Sequence, residues 1–77
     1  MVHAYVLIKT EPGRVLDIVS ELRDLTAVET ADTITGPADL IARVHAPDPR
    51  ALAELIFRSI QTIAGVKETD TRIVVED

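Results

Sequence analysis

Apolar and polar side chains alternate near the start of the chain. Residues 2–9 read VHAYVLIK, and this period of two is typical of a β-strand, whose successive side chains point to opposite faces. One face is entirely apolar and consists of Val2, Ala4, Val6 and Ile8. The other face is mixed and consists of His3, Tyr5, Leu7 and Lys9. The segment predicts a strand with one face in the core.

Two later segments repeat their apolar residues at the spacing of one helix face. The first follows a cap candidate, Thr10, and an early proline, Pro12, and predicts a helix over residues 12–24. The second opens with the run PDP, which places Asp48 at the N-cap and Pro49 at the first helical position. The apolar stripe of the second helix consists of Leu52, Leu55, Ile56 and Ile60.

Three further segments, residues 28–35, 39–46 and 66–76, have the composition of strands. The Gly36-Pro37 pair separates the first two, so we expect them to form a hairpin. The order is then β-α-β-β-α-β, and the chain echoes itself, since AVETADTI follows the first helix much as GVKETDTRI follows the second. The predicted fold is α+β and ferredoxin-like, with a four-stranded antiparallel sheet and two helices on one face.

The first and third strands of such a sheet lie side by side at its centre and run antiparallel. Pairing residues whose numbers sum to 48 matches Lys9 with Asp39, Leu7 with Ile41, Tyr5 with Arg43, and His3 with His45. All of these pairs but the last attract. Because this uncovered face is too apolar to remain in water, we expect it to be a homodimer interface, with sheets packed face to face as in dimeric α+β barrels. The predicted interface residues are His3, Tyr5, Leu7, Ile41, Arg43 and His45.

Length and composition fit one small domain that gains stability by association. The chain has 77 residues, of which 47% are hydrophobic. Its mean hydropathy of +0.19 is high for so small a monomer. We therefore expect a single domain over residues 1–77 that forms homo-oligomers.

Charge, cysteine content and the start of the chain argue against several classes of protein. The 13 acidic and 8 basic residues give a net charge of −5, whereas binding to nucleic-acid phosphates requires a clustered basic surface. The absence of cysteine excludes disulfides, iron-sulfur clusters and the usual structural zinc sites. The apolar run from Ala4 to Ile8 is too short for a signal peptide or a membrane span. We expect a cytoplasmic protein that needs no cofactor and binds neither nucleic acid nor membrane directly.

The mixed strand face offers few arrangements for catalysis or metal binding. His3 and His45 are predicted to lie close together, and two imidazoles can begin a metal site or a pH switch. No third ligand is evident, which favours a polar margin of the interface. Tyr5 and Arg43 could form a cation-π contact or a small catalytic pair, and packing at an interface is the simpler interpretation. We predict no catalytic residues and no metal.

The Gly-Pro-Ala-Asp turn and a threonine pair are better candidates for ligand binding. The glycine and proline can fix a turn with free backbone amides and carbonyls, and Asp39 offers a carboxylate that could meet an ammonium group. Thr69 and Thr71 point to the same side of the last strand and supply hydroxyls. These groups suit a zwitterionic ligand. The alternative is an ordinary hairpin turn beside a threonine-bearing edge strand.

Two runs of the sequence together resemble a known family. ITGPADLIARV, followed one helix later by IQTIAGVKETDTRIVV, is similar to the effector-binding, or RAM, domain of the Lrp/AsnC regulators. The pattern of that domain is near V-T-G-x-Y-D-hydrophobic and then G-V-x-x-T-x-T-hydrophobic. The resemblance covers residues 2–75. Full-length members carry an N-terminal helix-turn-helix domain, whereas this chain begins at its first strand, so we expect a stand-alone RAM protein.

The resemblance implies dimers packed through their sheets, rings that are often octamers, and amino acids bound at interfaces between dimers. Family effector contacts fall on the turn and on the TxT strand. The predicted ligand-binding residues are Gly36, Pro37, Ala38, Asp39, Thr69 and Thr71. Ala38 stands where the family pattern has an aromatic residue. The pocket is therefore either wider than usual or no longer binds an effector.

We expect an amino-acid-responsive regulatory module that forms homo-oligomers and modulates transcription through partner proteins, such as a DNA-binding Lrp/AsnC paralogue. Two alternatives stay open. One is a structural adaptor that changes the assembly of such a paralogue without binding an effector. The other is a small dimeric α+β barrel enzyme, against which the short chain and the lack of a nucleophile-base pair count.

Overall fold

The computed structural model describes residues 1–75 and confirms the predicted β-α-β-β-α-β order. The elements are β1 (Val2–Thr10), α1 (Val15–Arg23), β2 (Val28–Thr33), β3 (Leu40–Ala46), α2 (Pro49–Glu54), a π-helical segment (Leu55–Ile60) and β4 (Val66–Ile73). The first helix begins at Val15 rather than Pro12, because Gly13 has a φ of 80° that an α-helix cannot contain. The predicted end of the last strand, Glu76, lies outside the described residues.

The four strands form one antiparallel sheet in the order β2-β3-β1-β4. The central ladder runs from Val2 opposite Ala46 to Ile8 opposite Leu40, which confirms the predicted register. A slip of one residue would exchange the two faces of a strand. The register therefore decides which side chains meet the helices and which form the open face.

The hydrophobic core lies between the sheet and the two helices. On β1, Ile8 is completely buried, whereas Tyr5, on the opposite face, is 41% exposed. Within residues 1–75 no polar or charged residue is buried, so apolar burial is the main stabilising contribution. The core consists of Ala4, Val6, Ile8, Ile18, Val19, Leu22, Val28, Ala31, Leu40, Ala42, Val44, Ala46, Leu52, Ile56 and Ile60.

The second helix begins as the sequence predicts and then widens. Asp48 is the N-cap, and its Oδ1 atom accepts a hydrogen bond of 2.8 Å from the backbone N–H of Ala51. After Glu54 the backbone continues as a π-helix, in which the N–H of Gln61 donates to the carbonyl of Ile56 at 2.8 Å. No helix of the described chain is long and apolar enough to cross a membrane.

Candidate functional site

The Gly-Pro-Ala-Asp turn is anchored at both ends by backbone hydrogen bonds. The N–H of Ile34 donates to the carbonyl of Asp39 at 3.0 Å, and the N–H of Asp39 donates to the carbonyl of Ile8 at 2.9 Å. Gly36 has a φ of 128°, which L-residues with a side chain rarely adopt. The turn between β2 and β3 is thus held against β1, and glycine is required at its first position.

Asp39 ties the turn to the end of β1. Its Oδ2 atom accepts hydrogen bonds from the backbone N–H of Thr10 at 2.9 Å and from the Thr10 hydroxyl at 3.3 Å. The predicted attraction between Lys9 and Asp39 was wrong, because Asp39 precedes β3 and bonds to Thr10. The ammonium group of Lys9 lies 3.2 Å from Oε2 of Glu68 instead.

A pocket of about 500 Å³ lies on the open face of the sheet, between the turn and β4. It brings together three of the six predicted ligand-binding residues, Pro37, Ala38 and Thr69. Its other lining residues are Leu7, Lys9, Ile34, Thr35, Glu68, Asp70 and Arg72. The volume is in the range of small-molecule sites, and Ala38 lines the pocket as the sequence motif suggests.

Charges of both signs line this pocket as two ion pairs. Besides the pair of Lys9 and Glu68, the guanidinium of Arg72 donates two hydrogen bonds of 3.0 Å to the carboxylate of Asp70. The Arg72 hydrogen bonds lower the pKa of Asp70, and Asp70 raises the pKa of Arg72. All four side chains are about half exposed or more, so a ligand can reach both cations and both carboxylates.

Thr69 and Thr71 belong to the other side of β4. They pair with Ile8 and Val6, whose side chains lie in the core, so the two hydroxyls lie on the helix side of the sheet. There they line a groove of about 320 Å³ beside α2 and the π-helical segment. Asp39 lines a third recess with Thr10. The structure therefore distributes five of the six predicted ligand-binding residues over three neighbouring surfaces, and of these five only Thr69 lines both the pocket and the groove.

Gln61 contacts the threonine pair and was not predicted. Its side-chain amide donates a 2.9 Å hydrogen bond to Oγ1 of Thr69. Gln61 is the C-cap of the π-helical segment, which places this amide over β4. A regular helical repeat contains no signal for such a turn, so the sequence pattern could not indicate this contact.

The other end of the open face carries a cluster around Glu29, which we call the histidine cluster: His3, Tyr5, Glu29, Arg43 and His45. The Oε1 atom of Glu29 lies 3.6 Å from Nδ1 of His3 and 3.6 Å from Nδ1 of His45. Its Oε2 atom accepts a 2.9 Å hydrogen bond from Nε of Arg43. The two imidazole rings are 6.3 Å apart between centroids, which confirms that the two histidines are neighbours.

Arg43 and Tyr5 form the predicted cation-π contact, with Cζ of Arg43 5.0 Å from the ring centroid. A hydrogen bond with Tyr5 raises the pKa of the Arg43 guanidinium, and the nearby Glu29 carboxylate raises it further. Arg43 is therefore a permanent cation in the histidine cluster. Among residues 1–75, no group of three His, Cys, Asp or Glu side chains is arranged to hold a metal ion.

The sheet order, the two helices on one face and the open second face define a ferredoxin-like α+β domain. Residues 3–77 match the family model described as the Lrp/AsnC ligand binding domain. The chain therefore belongs to the Lrp/AsnC family, as its two sequence motifs predicted.

Similar proteins agree with this assignment. An uncharacterized HTH-type transcriptional regulator of Pyrococcus abyssi is 31% identical over 71 residues, which are 92% of this chain and 45% of that protein. The chain spans about half the length of the curated relatives it matches. A crystal structure of a Thermus thermophilus protein has a TM-score of 0.94 and 30% identity, covering 100% of this chain and 96% of that chain. The structure of Escherichia coli AsnC has a TM-score of 0.93 and 25% identity, and the match covers 99% of this chain and 52% of that chain.

Proposed function

We propose that the chain is a regulatory module that binds an amino acid, or a similar small zwitterion, and responds by changing its assembly. The pocket between the turn and β4 carries this proposal. It combines an apolar wall with exposed charges of both signs. A zwitterion needs both, because its carboxylate and ammonium groups must each keep a partner when water is displaced.

The pocket suggests how each part of such a ligand is held. The ligand carboxylate would meet Lys9 or Arg72, and its ammonium group would meet Glu68 or Asp70. The ligand side chain would lie against the apolar wall formed by Leu7, Ile34 and Pro37. Ala38 leaves room at the position where the family pattern has an aromatic residue, which favours an effector with a bulky side chain.

The open face is the proposed contact between two copies of the chain. It presents Tyr5, Leu7 and Ile41 beside the Glu29–Arg43 ion pair, a mixture of apolar and self-complementary charged groups. Packing a second sheet against it would also cover the pocket. An effector between copies can favour one assembly only to the extent that it binds that assembly more tightly.

Relatives named as transcriptional regulators favour regulation over catalysis. The output would be a contact with a protein partner such as a DNA-binding member of the family. The structural adaptor stays the second candidate, because half of the predicted ligand-binding residues lie outside the pocket. The two differ in one observable, since only a sensor is stabilised by ligand through mass action.

The test is a thermal-shift screen of the protein with each standard amino acid, read together with assembly mass from light scattering. Ligand at about 100 times its Kd stabilises a protein by roughly 2.7 kcal/mol. Each kcal/mol raises the Tm of so small a domain by about 4–8 °C. A shift with one or a few amino acids and an accompanying change in mass are expected. No shift with any of them, in a protein of constant mass, favours the adaptor.

Filling the pocket gives a sharper version of this test. Ala38→Tyr restores an aromatic side chain at the pocket wall, so we expect it to remove the response to bulky amino acids and to leave the Tm without ligand nearly unchanged. Ala64→Tyr is the matched control, since Ala64 is exposed and lies outside the pocket lining. An unchanged thermal shift in Ala38→Tyr would place the effector elsewhere.

A further inference from the structure

We propose that an α-amino acid enters the pocket by opening one of its two ion pairs and leaving the other closed. Lys9 then binds the ligand carboxylate and Glu68 binds the ligand ammonium group. The pair of Asp70 and Arg72 stays closed and forms a fixed polar wall. This inference rests on the proposed function and deepens it, because it assigns each charge of the ligand to one residue.

The two ion pairs of the pocket differ in the number of contacts that hold them. Arg72 donates from Nε to Oδ1 of Asp70 and from Nη2 to Oδ2, each at 3.0 Å. Bidentate pairs of this kind are among the strongest hydrogen-bonded ion pairs in proteins. Lys9 makes one contact, in which Nζ lies 3.2 Å from Oε2 of Glu68. An ammonium group is a compact charge with rotatable donors, so this pair loses less when it opens.

The pair of Asp70 and Arg72 is also local. Its two residues are two positions apart on β4, so their side chains lie on the same face of the strand. Their hydrogen bonds lower the pKa of Asp70 and raise that of Arg72, which shows that the two charges stabilise each other. Forming this pair does not depend on any other strand.

The pair of Lys9 and Glu68, by contrast, joins two strands where their pairing becomes irregular. Lys9 pairs with Glu68, but Thr10 pairs with Val66, so the ladder skips one residue of β4 directly after Lys9. Such bulges are frequent beside functional sites, where they redirect side chains. The side chains of Lys9 and Glu68 are 49% and 67% exposed, so a ligand can reach both.

Asp39, the sequence-based candidate for the ammonium group, already has partners. Its Oδ2 atom accepts hydrogen bonds from the backbone N–H and the hydroxyl of Thr10, and it lines the neighbouring recess. Glu68 is held by one contact and lines the pocket itself. Of these two carboxylates, Glu68 is therefore the one that can exchange its partner for a ligand.

The exchange selects for a particular class of ligand. The ammonium and carboxylate groups of an α-amino acid are attached to one carbon, so both can lie beside a cation and an anion that are themselves neighbours. One ion pair within the protein is then replaced by two between protein and ligand. A ligand with only one charge would open the pair and leave Lys9 or Glu68 without a partner, which is unfavourable. An ω-amino acid, whose charges are far apart, fits less well for the same reason.

The experiment is isothermal titration calorimetry with L-phenylalanine, L-leucine and L-methionine, whose bulky side chains suit the apolar wall. Each is compared with its amide, which lacks the carboxylate, and with its N-acetyl derivative, which lacks the ammonium group. The wild type should bind the amino acid about tenfold or more tightly than either derivative. Lys9→Met should remove the preference over the amide, and Glu68→Gln the preference over the N-acetyl derivative.

Two double variants compare the ion pairs at constant net charge. Lys9→Met with Glu68→Gln removes the exchangeable pair and should weaken binding of the amino acid by about tenfold or more. Asp70→Asn with Arg72→Met removes the closed pair and should weaken it by about threefold or less. Thermal unfolding without ligand checks that both variants fold.

Three results would overturn the assignment in distinguishable ways. An equal or larger loss of affinity on removing Asp70 and Arg72 would show that this pair also opens, and would leave amino-acid binding itself intact. Equal affinity of the wild type for the amino acids and their derivatives would refute recognition of both charges. A wild type that binds none of the three amino acids would contradict the proposed binding of bulky amino acids, and the assignment of Lys9 and Glu68 with it.

Discussion

The two faces of the sheet are built from alternate residues of the same strands and differ in nearly every property. On the helix-covered face, every buried residue within residues 1–75 is apolar. The open face carries the charged pocket at one end and the histidine cluster at the other. One face therefore determines whether the chain folds, and the other carries the groups that we propose to bind a ligand and a second copy of the chain.

The largest expected effect comes from truncating neighbouring residues on the two faces. Ile8 is fully buried, so Ile8→Ala should lower the free energy of unfolding by about 2–5 kcal/mol through lost burial and the cavity left behind. Leu7 is half-buried on the open face, and Leu7→Ala should cost roughly 1 kcal/mol in the folding of one chain. Urea denaturation of both variants measures the difference. Equal losses of unfolding free energy would show that the open face contributes to the folding of one chain as much as the covered face does.

The same two substitutions also test the proposed contact between copies of the chain. In the proposed dimer, Leu7 lies at the contact between copies. Leu7→Ala should therefore make the denaturation midpoint less dependent on protein concentration, because a weaker association contributes less to the stability of the folded state at a given concentration. Ile8→Ala should lower the denaturation midpoint and leave its dependence on protein concentration unchanged.

The sequence predicted the covered face almost completely, because burial imposes periodicity. The alternation in β1 and the helical spacing of Ile18 and Leu22 arise because one side of each element lies in the core. The register followed from the same rule, since a slip would expose the core residues. Helix ends were less predictable because a local backbone conformation, such as that of Gly13, decides them.

The open face was predicted less well, since its contacts depend on backbone irregularities that have no periodic signature. Glu29 reaches both histidines from β2, whose pairing with β3 is irregular between Val28 and Thr30. Gln61 reaches Thr69 from a π-helical turn. The threonine pair was predicted as a unit with the turn, although its pairing with core residues places it on the other side of β4.

A middle-sized effect is expected at Asp39, which joins the turn to β1. Asp39→Ala removes two hydrogen bonds to Thr10, one of them from a backbone N–H, so it should lower the free energy of unfolding by about 1–2 kcal/mol. The turn that carries Pro37 and Ala38 would lose its anchor. We expect the variant to lose ligand-induced stabilisation while remaining a dimer, as thermal shift and light scattering can show.

Thr10→Val is the matched control for this prediction. It removes the longer hydroxyl contact of 3.3 Å and keeps the backbone donor at 2.9 Å. Its loss of stability should be smaller, and its ligand response should survive. A full ligand response in Asp39→Ala would mean that neither the carboxylate nor the anchored turn takes part in binding.

The smallest effect is expected where charges on the open face are paired one to one. Arg72 lowers the pKa of Asp70 below its usual value near 3.8, so the pair stabilises the fold above that value, and the contribution is lost as the pH falls through the lowered pKa. Both groups are exposed, so the contribution is small. Arg72→Met should be slightly less stable than the wild type at neutral pH and equally stable in strong acid.

Lys67→Met, which removes one positive charge from the same strand, controls for net charge in that comparison. Denaturation curves at neutral and strongly acidic pH separate the two variants. The ion pair of Asp70 and Arg72 has no net charge at any pH above the pKa of the aspartate. Its contribution to stability therefore does not change near neutral pH. A stability difference for Arg72→Met that disappears already near pH 6, rather than in strong acid, would contradict its assignment to the ion pair of Asp70 and Arg72.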